Sequence, residues 1–152
     1  MSARVVFAKP EHIDWIAPRM RRADVDEVRA ASGKSPREAL EFSLERSNEV
    51  YTALFDGVPA AMFGVGWINI INGIGAPWLL GTDEVEKNYR HFLRGSKWWI
   101  GRLSSRYDLL TNVVDDRNTV SKRWLAFLGF TLFEPVILGA EKRPFRKFEL
   151  RA

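Results

Sequence analysis

The sequence predicts an α/β fold with a mixed central sheet of six or seven strands flanked by helices. Three observations predict it. Residues 76–80, 83–107 and 109–114 read as strand, helix, strand, and a right-handed crossover leaves those two strands parallel. Residues 50–55 and 58–65 flank Asp56-Gly57, a two-residue hairpin signal. Residues 108–130 read as strand, acidic turn, amphipathic helix, glycine stop and a new strand.

The elements follow in order. Residues 4–8 form a first strand. Pro10 opens a helix, where its missing N–H costs nothing, and Ile13, Trp15, Ile16 and Met20 supply its apolar face. Pro18 shortens or kinks it. Residues 24–30 form a short second helix. Ser35, Pro36 and Glu38 are the N-cap, first-turn proline and first-turn acid of a third helix, running to about Ser47 and partly burying Leu40, Phe42 and Leu44. The hairpin follows, and the apolar residues 67–71 extend its second strand. After residues 76–80, Thr82 caps a long helix over 83–107. Val85, Tyr89, Phe92, Ser96, Trp99 and Leu103 recur on it at steps of three and four, as a core-facing stripe does. Asn118, Asp115 and Asp116 are candidate caps of the last helix, whose stripe is Val120, Trp124, Phe127 and Leu128. Residues 131–138 and 145–150 close the sheet.

At 152 residues the chain makes one domain, 1–152, with no repeat or linker. Its 46% hydrophobic content and six tryptophans exclude a disordered chain. With no cysteine it has no disulfide, thiolate nucleophile or cysteine zinc site. Residues 57–82 carry no charged side chain, but two prolines and six glycines exclude a membrane span there; a doubly covered sheet centre gives the same pattern. The first residues lack a long apolar core behind basic residues, so no signal peptide is expected. The net charge of +4 includes two clusters, Arg19, Arg21 and Arg22, and Lys142, Arg143, Arg146, Lys147 and Arg151. Both read first as solvated faces, and nucleic-acid binding ranks last among the functions considered. Ser104-Ser105 lacks a nucleophile-elbow context, His12 and His91 lack convergent partners and read as surface or partly packed, and Trp98 reads as a core-edge side chain.

The spacing of Val113-Val114, Asn118 and Gly129-Phe130 resembles the C-terminal core of the GCN5-related N-acetyltransferase (GNAT) superfamily, over about residues 4–135. More narrowly, residues 76–82, 92–96 and 118–130 resemble the small acetyltransferase-like proteins of tailed phages, a group that includes the internal virion protein A type. The superfamily holds its cofactor pyrophosphate in a glycine-rich turn between the fourth strand and the long helix. The resemblance therefore implies acetyl-CoA binding at Leu79, Leu80, Gly81, Thr82 and Asn118 if the chain is active. Two features oppose it. Only Gly81 remains of the glycine pattern, and Asp83, Glu84 and Glu86 place negative charge where the phosphates would sit. The family's tyrosine, seven residues beyond Asn118, is here Leu125, which has no proton to donate. Arg117 or a lysine from elsewhere could compensate at the cradle, and Asn118 is equally an N-cap. The resemblance implies an acetyltransferase-fold phage protein, virion-associated or assembly-related, with weak or no catalysis. The alternative is an active acetyl-CoA-dependent N-acetyltransferase. Its implied partners are virion or assembly proteins, and its implied location is the virion or host cytoplasm.

Overall fold

The computed structural model describes residues 2–69 and 71–152. β1 (Ala3–Phe7) leads into α1 (Pro10–Ile16), which Pro10 opens and a 3-10 turn at Ala17–Arg19 ends, around Pro18. α2 (Arg22–Ser32) is longer than predicted. α3 (Pro36–Arg46) starts with a reciprocal cap: Ser35 Oγ accepts the Glu38 N–H at 3.2 Å, and the Glu38 carboxylate accepts the Ser35 N–H at 3.0 Å. β2 (Ser47–Phe55) and β3 (Val58–Asn69) form the hairpin. Asp56 and Gly57 have φ of 50° and 79°, as the favoured two-residue turn requires. β3 ends at Asn69; Ile70 lies outside the described residues, and Ile71 is exposed in a turn rather than continuing the strand.

β4 (Ile74–Gly81) is followed by two helices, where the sequence pattern predicts one. α4 (Glu84–Lys87) stops at Asn88, and α5 (Tyr89–Ser104) starts afresh. Asn88 leaves helical geometry (φ −112°, ψ 39°), and its side-chain amide donates to the Glu84 carbonyl at 3.0 Å. An asparagine competing for a helix carbonyl is a sound reason for the break. β5 (Leu109–Asp115), α6 (Thr119–Phe127), β6 (Thr131–Leu132), β7 (Val136–Leu138) and β8 (Arg143–Arg151) complete the chain. Gly129 ends α6 with φ of 98°.

The sheet has eight described strands in the order β1-β2-β3-β4-β5-β8-β6, with β7 also paired to β8. It exceeds the predicted six or seven because Glu134-Pro135 splits the 131–138 run in two. β4 and β5 are parallel, as predicted, but they pair only at Ile74–Leu109 and Gly75–Leu110. Beyond that point they part. Pro77 gives the reason: it has no N–H to offer a neighbour, and its carbonyl accepts instead from the Asn112 side chain at 3.1 Å. Leu79 and Leu80 therefore face a gap, not β5.

Each face of the sheet has its own core. Ile13, Ile16, Leu40, Met62 and Leu80 pack under α1 and α3. Val65, Leu103, Leu110, Val114, Leu125 and Phe148 pack with α5 and α6 on the other side. Each such fully buried side chain contributes roughly 1.5–3 kcal/mol. Three predicted apolar positions differ. Trp15 points outward under the Arg19 guanidinium, 3.5 Å from its ring centre. Phe42 is exposed between Lys34 and Arg46. Phe127 is 52% exposed, and Leu125 takes the buried position on α6. In each case a long cationic stem covers the ring, so the periodicity alone misplaces it.

Candidate functional site

A large concave feature of the described residues occupies the gap between β4 and β5. It forms a cavity of about 710 Å³ that passes between the strands and opens toward both layers of helices. Trp78, Leu79 and Leu80 line it from β4, and Asn112, Val113 and Val114 from β5. Phe92, Trp99 and Trp124 close one face, and Glu27, Val28 and Ala39 the other. Trp99 meets Tyr51 and Phe63 edge-on, with ring centres 4.8 and 5.3 Å apart. The Trp124 indole N–H is buried and has no partner among the described residues.

The C-terminal ends of both strands close over a buried polar network. Arg21 and Asp24 are 5% and 1% exposed. The Asp24 carboxylate accepts from Arg21 Nη2 at 2.8 Å and from the Gly81 N–H at 2.9 Å. Arg21 Nη2 reaches across the gap to Asn118 Oδ1 at 3.3 Å and Ser121 Oγ at 2.7 Å. Arg21 Nη1 lies 3.7 Å from Glu86. Arg21 also fixes the chain itself, its N–H donating to the Gly81 carbonyl at 2.9 Å. Gly81 suits the place because a Cβ there would sit 2.8 Å from the Val85 side chain. Burial pushes the Asp24 carboxyl up, opposed by the Arg21 guanidinium and the Gly81 N–H.

Glu27 stands one helical turn beyond Asp24. Its Oε1 accepts the Asp115 N–H at 2.7 Å and the Asn118 amide at 3.4 Å. Burial, with the nearby Asp24 carboxylate, pushes its pKa up to about 7. Asp115 is buried too, and burial opposes its charge. The Arg117 guanidinium, at 2.7 Å, nevertheless holds it below the usual carboxylate range.

The predicted site residues thus divide. Gly81 and Asn118 are brought together through Asp24 and Arg21. Leu79 and Leu80 form the β4 wall, one toward each helix layer. Thr82 turns away: its N–H and Oγ1 both donate to the Ala60 carbonyl, at 2.8 and 3.0 Å. Arg117 is occupied by Asp115, so it does not reinforce a phosphate cradle. Asn118 caps α6, accepting the Ser121 N–H at 3.3 Å. Arg21, Asp24 and Glu27 were missed. Their three-residue spacing puts them on one face of a helix, which was the available signal. Arg21 belongs to no basic surface cluster. His12 is also buried, with Nδ1 accepting the Lys9 N–H at 3.1 Å and lying 2.8 Å from Thr52 Oγ1; burial lowers its pKa. His91 is exposed.

Solved structures share this fold over nearly the whole chain. Ard1 from Thermoplasma volcanium superposes with a TM-score of 0.77 at 10% identity, covering 100% of this chain and 99% of its own. The fold is that of the GNAT acetyltransferases. Spermidine N-acetyltransferase from Vibrio cholerae, solved with CoA and spermine, matches at TM-score 0.71 and 10% identity, over 98% of this chain and 95% of its own. An aminoglycoside acetyltransferase solved with coenzyme A matches at 0.68 and 12%, over 99% and 95%. No protein-family model and no curated protein matches the sequence.

The GNAT fold implies acetyl-CoA, whose pyrophosphate needs free backbone N–H groups after β4. In this chain most of the N–H groups of that turn, Asp83 apart, already have partners. The Gly81 N–H is on Asp24 and the Thr82 N–H on Ala60. Those of Glu84 and Val85 are on Thr82, those of Glu86 and Lys87 on Asp83, and that of Asn88 on Glu84. Asp83, Glu84 and Glu86 add negative charge at the same turn. The residues here do not fit a pyrophosphate in that turn.

Proposed function

We propose that the chain is an acetyltransferase-fold protein of the phage type, virion-associated or assembly-related, with weak or no acetyl-CoA-dependent catalysis. One observation carries the catalytic part: the Arg21–Asp24 pair occupies the mouth of the gap and takes the Gly81 N–H. A cofactor arm entering there must displace a buried ion pair, and breaking such a pair one-sidedly costs about 3–5 kcal/mol. The phage part rests on the resemblance of residues 76–82, 92–96 and 118–130 to tailed-phage proteins.

Thermal unfolding with acetyl-CoA tests the first part. At about 1 mM cofactor and a Kd of 1 mM or more, native-state binding raises Tm by less than about 2 °C. A Kd near 10 μM raises it by roughly 5–10 °C, which contradicts the proposal. Mass spectrometry of purified phage particles tests the second part. Stoichiometric presence supports a virion role, and absence from particles and assembly intermediates removes it.

A second reading is favoured by Glu27. A half-buried carboxyl titrating near neutrality and lining the cavity suits a general base for an amine. In an active N-acetyltransferase, Glu27 would take the amine proton from the α2 side of the gap. Acetyl transfer to any polyamine or peptide N-terminus, lost in Glu27→Gln, would establish it.

A further inference from the structure

The outer face of α5 and α6 differs from the rest of the surface. Residues 89–107 contain no Asp or Glu, and neither does α6. Arg90, Arg94, Lys97 and Arg102 point outward from α5, and Arg123 from α6. None of these five forms an ion pair with a described carboxylate. The C-terminal basic cluster behaves otherwise: Arg146 is held by Asp116 at 2.6 Å, and Lys147 and Arg151 lie beside Glu149. Two aromatic rings stand among the free cations. Trp98 is 63% exposed, correcting its expected place at the core edge, with the Arg102 guanidinium 5.0 Å from its ring centre. Phe127 is 52% exposed, with Lys97 at 5.5 Å.

We propose that this face binds single-stranded nucleic acid, with Trp98 as a stacking platform and Arg90, Arg94, Lys97, Arg102 and Arg123 neutralising phosphates. The face is about 18 Å long from Arg90 to Arg102 at 1.5 Å per residue, which spans a few nucleotides. Exposed rings stack on unpaired bases and not on a closed duplex, so a single strand suits it better than a double one. An anionic membrane is the poorer occupant. A helix enters a bilayer surface by its apolar stripe, and the stripe of α5 is already committed to the sheet through Phe92, Trp99 and Leu103. The acidic residues of α4 bound the face at one end. The proposal is independent of whether the gap binds acetyl-CoA.

Fluorescence anisotropy of a labelled oligothymidine of about twelve nucleotides tests it, at several salt concentrations. Micromolar binding in low salt is expected, with log K falling against log salt at a slope of about −3 for four to five phosphate contacts. Arg94→Glu with Lys97→Glu should weaken binding more than tenfold. Arg19→Glu with Lys142→Glu changes net charge equally, away from this face, and should stay within about threefold. Trp98→Ala should weaken binding several-fold and leave the salt slope unchanged, because stacking releases no counterions. Circular dichroism confirms that each variant folds. Four results would overturn the proposal: no binding in low salt; equal losses in the two double variants; displacement of the oligonucleotide by millimolar coenzyme A; or binding to anionic vesicles without binding to the oligonucleotide.

Discussion

The middle and the mouth of the gap between β4 and β5 contrast sharply. Its middle is apolar and open, walled by Leu79, Leu80 and the rings of Trp99 and Trp124. Its mouth is polar and full, with Arg21 and Asp24 bridging Gly81 to Asn118 and Ser121. The middle exists because Pro77 cannot complete the ladder to β5. The mouth is closed because a helix from the N-terminal third lays an ion pair across the strand ends. The fold therefore retains a channel of useful volume while its own side chains occupy the entrance. A shared backbone architecture does not bring a shared binding site with it.

The comparison breaks first at the ion pair. Asp24→Ala leaves buried Arg21 with only the more distant Glu86 carboxylate, 3.7 Å from Nη1, and orphans the Gly81 N–H. Denaturant unfolding should show a loss of about 4 kcal/mol. A loss under about 1 kcal/mol would mean that the mouth is open to water and that the network is not structural.

Glu27 gives the next largest effect, and it depends on pH. Its folded pKa of about 7 lies above the ordinary 4.5. Below the lower value the group is neutral in both states. Between the two, the folded state holds the extra proton, so stability falls as pH rises, and by about 3 kcal/mol once pH passes 7. Glu27→Gln should remove that fall and so be more stable than wild type at pH 8, with little difference at pH 4. Parallel stability–pH curves for the two proteins would show Glu27 to be solvated.

The apolar middle is sharpened by the two adjacent tryptophans. Trp99→Ala removes a half-buried ring wedged against Tyr51 and Phe63, and should cost about 2.5 kcal/mol, somewhat below a fully buried aromatic. Trp98→Ala should cost under about 0.5 kcal/mol. Equal losses on unfolding would put the wrong face of α5 inward.

Much of this was legible in the residues. The Asp56-Gly57 hairpin, the Ser35 cap and the Gly129 stop rest on local chemistry, which a sequence carries in full. The parallel pairing of β4 and β5 followed from the strand–helix–strand pattern. The break at Asn88 was hidden because Val85 and Tyr89 keep the helical stripe on either side of it. The gap was half visible: Pro77 inside a strand removes a ladder donor, but the sequence does not say which neighbour loses it. The closing network was not visible, because Arg21 sits 97 residues from Asn118 and 100 from Ser121. Two neighbouring arginines also make Arg21 look like surface. Contacts of that range are set by topology, and only the three-residue spacing of Arg21, Asp24 and Glu27 hinted at a shared face.

On the proposed reading, the protein's own ion pair and acidic turn replace the cofactor's phosphates at the mouth of the gap. Calorimetric titration of the wild-type protein with acetyl-CoA tests it most directly. The expected dissociation constant is above about 1 mM. It should tighten when Asp83→Asn, Glu84→Gln and Glu86→Gln are combined, with weaker dependence on salt. Micromolar binding to the wild type, accompanied by acetyl transfer to an amine, would contradict the claim and make Glu27 the first residue to test as its base.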